Sequence, residues 1–224
     1  MRRRWLSLLA LLAVLSPCVR ASDDVDPSKL PMAVKKGIQN RFPKAKQVSA
    51  TKDVVKNETV YSVELKDSGQ EISVTITAAG TIEAFSKTIS VEKLPGAARK
   101  AINSQFPNAK IETVQEVSSV NDGKESVDEY EVHLKTKDKI EVTVSPSGEI
   151  EAIVRVITAD KLPEAVRKTL NKQFPAAKIS EIKEVSSLTD GKEVVTEYDV
   201  TLKSKAKGEI DVELSPDGKL IEDN

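Results

Sequence analysis

The sequence predicts an α+β protein of three tandem repeats, each with one helix packed on one face of a four-stranded antiparallel meander sheet. Three observations predict this fold. A helix-like phrase occurs three times, the apolar spacing after each phrase changes from four residues to two, and a glycine turn closes each repeat. The predicted boundaries are a signal peptide at 1–21, a linker at 22–27, and repeats at 28–87, 88–156 and 157–224.

The repeated phrase reads SKLPMAVKKGIQNRFP at 28–43, EKLPGAARKAINSQFP at 92–107 and DKLPEAVRKTLNKQFP at 160–175. Apolar side chains recur every four residues, in the second copy at Leu94, Ala98, Ile102 and Phe106. This spacing predicts a helix with one buried stripe. The first proline of each phrase fits the first helical turn, where a missing N–H costs nothing, and the last proline ends the helix.

A two-residue alternation follows each helix and predicts strands. The phrase Tyr-x-Val-x-Leu-Lys begins at Tyr61, Tyr130 and Tyr198, and a second alternating run follows it. We therefore predict half-buried strands with the three tyrosines on the buried face. A less regular strand precedes each tyrosine strand and predicts a bulge or a twisted edge.

Turn residues mark where these strands end. Asp-Gly at 122–123 and at 190–191 predicts tight hairpins, whereas the first copy lacks Asp-Gly and has a hairpin five residues shorter. A short last strand is predicted after each glycine turn, near 81–86, 149–156 and 219–222. Because the connections to the next helix are short, we expect a semi-rigid row of three units.

The N-terminus predicts export. Three arginines at 2–4 precede a leucine-rich run that is too short to span a bilayer comfortably, and Val19-Arg20-Ala21 predicts signal-peptide cleavage after Ala21. Lipid anchoring at Cys18 is an alternative, although the preceding proline fits a lipoprotein signal poorly. The expected location is therefore secreted or periplasmic, with no transmembrane span in the mature chain.

Charge and cysteine content exclude several classes of function. The signal peptide holds four arginines and no acid, so removing four positive charges from the net charge of −1 leaves −5. A nucleic acid or an anionic membrane is a poor partner for such a chain. Cys18 is the one cysteine, and its removal would leave neither a disulfide nor a cysteine metal ligand.

Catalytic and cofactor signals are weak. The chain has one histidine, His133, which is predicted on an exposed strand face, and no glycine-rich phosphate loop. We therefore predict no enzyme activity and no catalytic, cofactor or metal residues. Weak calcium binding stays an alternative because acidic residues recur on the predicted strands of the third copy. These residues are Glu197, Asp199, Asp211 and Glu213.

Recognition is the remaining class of function. An antiparallel sheet covered on one face offers a broad second face, and three copies can multiply weak contacts. The predicted partner surface consists of residues that alternation places on this second face. They are Ser62, Glu64, Glu131, His133, Thr143, Thr201 and Asp211.

The repeated motifs resemble PepSY-like domains, which are related to the β-lactamase inhibitory protein fold. The motifs are the Leu-Pro helix ending in FPKAK, FPNAK or FPAAK, the Tyr-x-Val-x-Leu-Lys strand and the closing glycine turn. The resemblance covers residues 28–224 and implies an exported, non-catalytic protein with a helix on a sheet.

The resemblance also implies a class of partner. Some relatives inhibit a hydrolase or peptidase with a sheet face that carries exposed aromatic residues. This chain departs from that pattern, because the outward positions of its clearest strands carry Glu, Asp, Ser, Thr, Lys and one His. The expected function is therefore an exported binding module for an exported protein, such as a hydrolase or peptidase. The alternative is a structural or weakly calcium-binding cell-envelope protein.

Overall fold

The fold comes from a computed structural model that describes residues 23–55, 57–204 and 208–221. The predicted signal peptide, including Cys18 and Ala21, lies outside these residues. The helices are α1 Met32–Arg41, α2 Gly96–Gln105 and α3 Glu164–Gln173. The strands are β1 Asp23–Val25, β2 Lys46–Val55, β3 Glu58–Asp67, β4 Gln70–Thr77, β5 Ile82–Ile89, β6 Lys110–Asn121, β7 Lys124–Lys135, β8 Ile140–Val144, β9 Ile150–Val156, β10 Lys178–Thr189, β11 Lys192–Ser204 and β12 Gly208–Leu214.

The predicted α+β fold class was wrong. The strands are hydrogen-bonded in chain order as one twelve-stranded antiparallel sheet, and the described residues are mainly β with three α-helices of ten residues each. The predicted four-stranded sheets are not separate, because the last strand of one copy pairs with the first strand of the next. Residues 84–89 of β5 pair with 114–119 of β6, and 153–156 of β9 pair with 183–186 of β10. This pairing gives hydrogen-bond partners to backbone N–H and carbonyl groups that would have none at an isolated sheet edge.

The described residues form two compact units. The first unit comprises residues 23–94 and 113–131, and the second comprises residues 95–112 and 132–221. Helix α1 therefore belongs to the first unit, whereas α2 and α3 belong to the second. The repeat boundaries at 87/88 and 156/157 stay a prediction.

The helices confirm the four-residue stripe. In α1, Val34 and Ile38 are buried, together with Leu30 before the helix and Phe42 after it. The first proline of each phrase, however, occupies the N-cap position and not the first helical turn. Pro31, for example, is the N-cap of α1 and has φ −52°. The Phe42 N–H donates to the Ile38 carbonyl at 2.7 Å and closes the last turn. Each helix thus ends where the Phe-Pro pair predicted.

The strands bury one face against these helices. Tyr61, Tyr130 and Tyr198 are 8%, 5% and 4% exposed, so their predicted inward direction is confirmed. The core of the first unit joins the α1 stripe to apolar residues of β3, β4 and β5. The core of the second unit includes the α3 stripe and apolar residues of β11 and β12. Of the two alternatives predicted before the tyrosine strands, a bulge or a twisted edge, β2 and β10 show the register shifts of a bulge.

Glycine turns pack against the helices. Gly148 has φ +89°, and a Cβ at this position would lie 2.7 Å from the Ala97 carbonyl oxygen of α2. Gly218 has φ +82° and makes the same approach to Ala165 of α3. Only glycine combines this backbone conformation with so close a contact. The turns therefore hold each helix against the sheet.

Candidate functional site

The candidate site is the sheet face that points away from the helices, here called the outer face of each unit. Directly paired residues in neighbouring strands share a face, and the paired core residues Val63, Val74 and Phe85 define the helix side. The residues between them consequently point outward. The structure thus provides one outer face in each unit.

The outer face of the first unit is rich in hydroxyl groups. One row across β2, β3 and β4 consists of Thr51, Ser62 and Thr75, and a second consists of Ser49, Glu64 and Ser73. We call these six residues the hydroxyl face. The Ser73 hydroxyl donates to the Glu64 carboxylate at 2.7 Å. The face therefore offers short side chains that donate and accept hydrogen bonds and that are held in place by paired strands. It also carries one exposed carboxylate, that of Glu64.

The outer face of the second unit is acidic. One row places Lys183, Asp199 and Glu213 directly opposite one another on β10, β11 and β12. The next row consists of Glu181, Thr201 and Asp211. We call these six residues the acidic face.

Hydrogen bonds and one ion pair organise the acidic face. The Thr201 hydroxyl donates to the Asp211 carboxylate at 2.7 Å. Lys183 Nζ lies 3.8 Å from the Glu181 carboxylate. A single lysine faces four carboxylates in these two rows, so the face favours a basic partner surface.

Asp199 is the most perturbed carboxyl group of the acidic face. Its Oδ1 atom is buried and has no hydrogen-bond partner among the described residues. Burial raises the pKa of Asp199 to about 6, the charges of Glu197 and Asp211 add to the rise, and Lys183 opposes it. Asp199 therefore takes up a proton far more readily than an exposed aspartate does.

The predicted partner residues divide between the units. Ser62, Glu64 and Glu131 belong to the first unit, whereas His133, Thr143, Thr201 and Asp211 belong to the second. Glu64 and Asp211 are exposed, and most of the others are half-buried. Thr143 is only 9% exposed, which leaves it little surface for a partner. Each unit thus holds part of the predicted surface.

His133 has one nearby carboxylate. Its Nδ1 atom lies 3.7 Å from the Glu141 carboxylate, which is longer than a hydrogen bond. Across residues 23–55, 57–204 and 208–221, no group of three or more His, Cys, Asp or Glu side chains is placed to hold a metal ion. No helix in those same ranges is long and apolar enough to cross a membrane.

The sequence prediction missed several outer-face residues. Ser73 and Thr75 of β4 and Glu181 of β10 complete the rows, and the strict alternation of β4 could have identified the first two. The predicted calcium alternative includes Asp199, but the predicted partner surface does not. Its burial could not be predicted because alternation gives the face of a residue and not what surrounds it.

Comparison with known families gives a match along almost the whole chain. The model of a family described as β-lactamase-inhibitor-like and PepSY-like matches residues 19–84, 80–152 and 128–222. The matched segments overlap and reach into all three predicted repeats. Comparison with curated proteins gave no significant match.

Solved structures also resemble the chain. A BLIP-like protein from Bacteroides fragilis is 18% identical, with 58% of this chain and 90% of that chain covered and a TM-score of 0.42. A protein from Bacteroides eggerthii, described as periplasmic, is 14% identical over 54% of this chain and 84% of its own, with a TM-score of 0.42. A DUF2874 family protein from Bacteroides uniformis is 14% identical over 54% and 85%, also with a TM-score of 0.42.

Proposed function

Because the chain belongs to the PepSY-like family of β-lactamase-inhibitor-like proteins, we propose that it is an exported, non-catalytic module that binds another exported protein through an outer sheet face. The proposed partner class is a hydrolase or peptidase. The proposed location is the periplasm or the extracellular space. Cleavage after Ala21 belongs to the same proposal.

The hydroxyl face is the observation that carries the proposal. Its six residues stand in two rows on three hydrogen-bonded strands, while α1 packs on the other side of those strands. A ladder of this kind holds short side chains in fixed positions, so a partner would bind without a large cost in ordering them. The surface is therefore suited to recognition.

The composition of the face indicates how it would bind. Interface hot spots are usually Trp, Tyr or Arg in desolvated pockets. The six residues of the hydroxyl face include none of these, and Tyr61 is buried on the helix side. Binding would therefore depend on hydrogen bonds and shape, with micromolar affinity as the expected range.

A non-catalytic role fits the available side chains. The sole histidine of the chain, His133, has a carboxylate 3.7 Å away and is half-exposed. A general base needs close contact with its nucleophile and a perturbed environment. Loss of an enzyme activity on His133→Ala substitution would contradict this part of the proposal.

Binding can be tested with a panel of exported serine β-lactamases and peptidases. Residues 22–224 would be titrated against each enzyme by calorimetry, with inhibition measured in parallel. Thr75→Arg adds a long cation to the hydroxyl face. Met32→Arg is the matched control, because Met32 is 79% exposed on α1 and the substitution adds the same side chain.

The proposal predicts a complex with at least one enzyme of the panel. Thr75→Arg should weaken that complex at least tenfold, whereas Met32→Arg should leave it unchanged. Circular dichroism would confirm that both variants are folded. An entire panel without binding, or a complex that only Met32→Arg weakens, would contradict the proposal.

A further inference from the structure

We propose that the outer face of the second unit binds an amphipathic helix of a partner protein, whose apolar stripe ends in a lysine or an arginine on both sides. This inference goes beyond the function proposed above, because it uses a different unit and a different kind of contact. It rests on one row of residues across β8, β9, β10 and β11. We call this row the valine row; it consists of Glu141, Val154, Val185 and Glu197.

Strand pairing places the valine row on the outer face. Val154 lies directly opposite Glu141 on one side and Val185 on the other, and Val185 lies opposite Glu197. Ile153, the neighbour of Val154, is fully buried on the helix side, so Val154 points outward. All four side chains of the row are half-buried, which leaves part of each open to a partner.

Two further valines widen the apolar centre of the row. Val156 lies on the same face of β9 as Val154 and is 36% exposed. Val194 of β11 is 47% exposed and points outward, because the adjacent Val195 packs against the helix-side core. Apolar surface rimmed by polar groups is typical of an interaction site.

Carboxylates stand at both ends of the valine row. The Glu141 carboxylate lies 3.7 Å from His133 Nδ1, and the Glu141 side chain is 38% exposed. Glu197 adjoins the acidic face, where its charge helps to raise the pKa of Asp199. Each end of the row therefore attracts a cation of a partner.

The next row of the sheet limits where those cations can lie. Lys183 is opposite Val156 on one side, and the Lys139 carbonyl accepts a hydrogen bond from the Val156 N–H on the other. The Lys183 Nζ atom lies 3.8 Å from the Glu181 carboxylate. A helix that is basic along its whole length would meet both lysines, so the complement is a helix with cations at the ends of its stripe.

The spacing of the valine row matches such a helix. Neighbouring strands lie about 4.8 Å apart, so the row spans about 14 Å from Glu141 to Glu197. Residues i, i+4, i+7 and i+11 of a helix form one stripe about 16 Å long. Four alternate residues of an extended segment would span about 20 Å and would carry the second cation beyond Glu197.

A second copy of the same face is a poor occupant. The row reads Glu, Val, Val, Glu from either end. A two-fold axis along the strands or across them would therefore bring carboxylate against carboxylate. Like charges that face each other across an interface oppose association.

The first unit lacks this row. Its equivalent residues on β4, β5 and β6, also directly opposite one another, are Ser73, Ser86 and Val117. Hydroxyl groups thus replace the carboxylate of Glu141 and the side chain of Val154. The partner helix should therefore recognise the second unit alone.

The probe is an alanine- and glutamine-based helical peptide of about 18 residues, with Lys, Leu, Leu and Lys at positions i, i+4, i+7 and i+11. A first control peptide exchanges these residues to Leu, Lys, Lys and Leu, which keeps the composition and the net charge. A second control carries Glu, Leu, Leu and Glu. Circular dichroism would compare their helix content, and fluorescence anisotropy would measure binding to residues 22–224.

The probe should bind with micromolar affinity. The exchanged peptide should bind at least about tenfold more weakly, because its lysines would lie over Val154 and Val185. The glutamate peptide should also bind at least about tenfold more weakly at low salt, and this difference should shrink in about 1 M NaCl.

Protein variants test the apolar centre. The double variant Val154→Thr, Val185→Thr keeps the side-chain shape and the preference for strands, and it should weaken binding of the probe about tenfold. Val48→Thr, Val54→Thr is the matched control, because these valines of β2 are 61% and 39% exposed in the first unit. It should leave binding unchanged.

A charge exchange tests the two ends. The double variant Glu141→Lys, Glu197→Lys should bind the glutamate peptide more tightly than the probe. This reversal separates direct contact from damage to the fold, because a damaged fold would weaken the binding of both peptides.

Several results would overturn the inference. They are an absence of probe binding, equal binding of the probe and the exchanged peptide, or unchanged binding by a folded Val154→Thr, Val185→Thr variant. Self-association of the chain that this variant abolishes would assign the row to a second copy instead. Thr75→Arg on the hydroxyl face should leave probe binding unchanged, so the two proposals can fail separately.

Discussion

Asp199 stands between Lys183 and Glu213 on the acidic face, and its charged form is disfavoured there. Its Oδ1 atom is buried without a hydrogen-bond partner among the described residues. Burial and the neighbouring carboxylates raise the pKa of Asp199 to about 6, from 3.8. The folded chain therefore binds a proton at Asp199 more tightly than the unfolded chain does. The charged carboxylate destabilises the fold at neutral pH.

The first prediction is that Asp199→Asn stabilises the protein at pH 7.5. The expected gain in the free energy of unfolding is about 1–3 kcal/mol, because the substitution removes the cost of the buried charge. The gain should shrink as the pH falls from about 6 toward 4, where the wild-type carboxyl group becomes protonated. Urea unfolding at pH 7.5 and pH 4 would measure both values.

Glu209→Gln is the control for this prediction, since Glu209 is exposed and its charge is not among those that shift the pKa of Asp199. It should change stability by less than about 0.5 kcal/mol at either pH. A loss of stability in Asp199→Asn at pH 7.5 would show that the charged group makes a favourable contact.

At the scale of single elements, the glycine turns fix the position of the helices. Gly148 combines a positive φ with an approach so close that a Cβ would lie 2.7 Å from the Ala97 carbonyl. Gly191 has φ +72° in the same unit, but a Cβ there would meet no atom within 4 Å. The two positions therefore separate backbone strain from steric overlap.

The second prediction uses this pair of glycines. Gly148→Ala should lower the free energy of unfolding by about 2–4 kcal/mol, because the new methyl group forces α2 away from the turn. Gly191→Ala should cost only about 1 kcal/mol, from backbone strain alone. Thermal and urea unfolding of both variants would show the difference. Equal losses would mean that the contact with α2 does not hold the helix.

The longer hairpins of the second and third copies also have a structural role. Glu125, near the tip of the β6–β7 hairpin, accepts a hydrogen bond from Arg41 at 2.5 Å. The same guanidinium lies 5.1 Å from the Phe42 ring centroid and 5.2 Å from that of Phe85. In the second unit, Glu193 near the tip of the β10–β11 hairpin pairs with Arg155, which lies over Phe106. Each extension thus brings a carboxylate to an arginine at the edge of a core.

The third prediction concerns the Arg41–Glu125 pair. A double-mutant cycle with Arg41→Ala and Glu125→Ala should give a coupling energy of about 0.5–1 kcal/mol, because both side chains are partly exposed to solvent. The cation–aromatic contacts should make Arg41→Ala the more costly single change. Urea unfolding of the four proteins would measure the cycle.

The exposed helical pair Glu164–Lys168 serves as the reference for this cycle. Its side chains are 72% and 74% exposed, so its coupling should be about 0.3 kcal/mol. A coupling at Arg41–Glu125 no larger than this value would show that the ion pair does not help to hold the hairpin.

At the scale of the whole molecule, local features could be predicted and strand neighbours could not. The apolar stripe of each helix and the inward tyrosines follow from residue spacing, and the structure confirms them. The continuous sheet was missed because alternation identifies the buried face of a strand but not its partner. Strand β5 belongs to the first copy and β6 to the second, so the residue pattern within one repeat does not identify their pairing.

The candidate site was predicted to a similar extent. Alternation correctly assigned Ser62, Thr201 and Asp211 to faces that point away from the helices. It did not reveal the burial of Thr143 or the crowded environment of Asp199. Those properties depend on neighbouring strands and on their charges, which become adjacent only in the folded sheet.

The outer face of the first unit is proposed to recognise another exported protein. Chemical-shift perturbation of isotope-labelled residues 22–224, titrated with the β-lactamases and peptidases of the panel, tests it most directly. We expect the perturbed amides to concentrate at Ser62, Ser73 and Thr75, and those of Val34 and Ile38 in α1 to be unaffected. Perturbations centred on α1, or none with any enzyme, would contradict it.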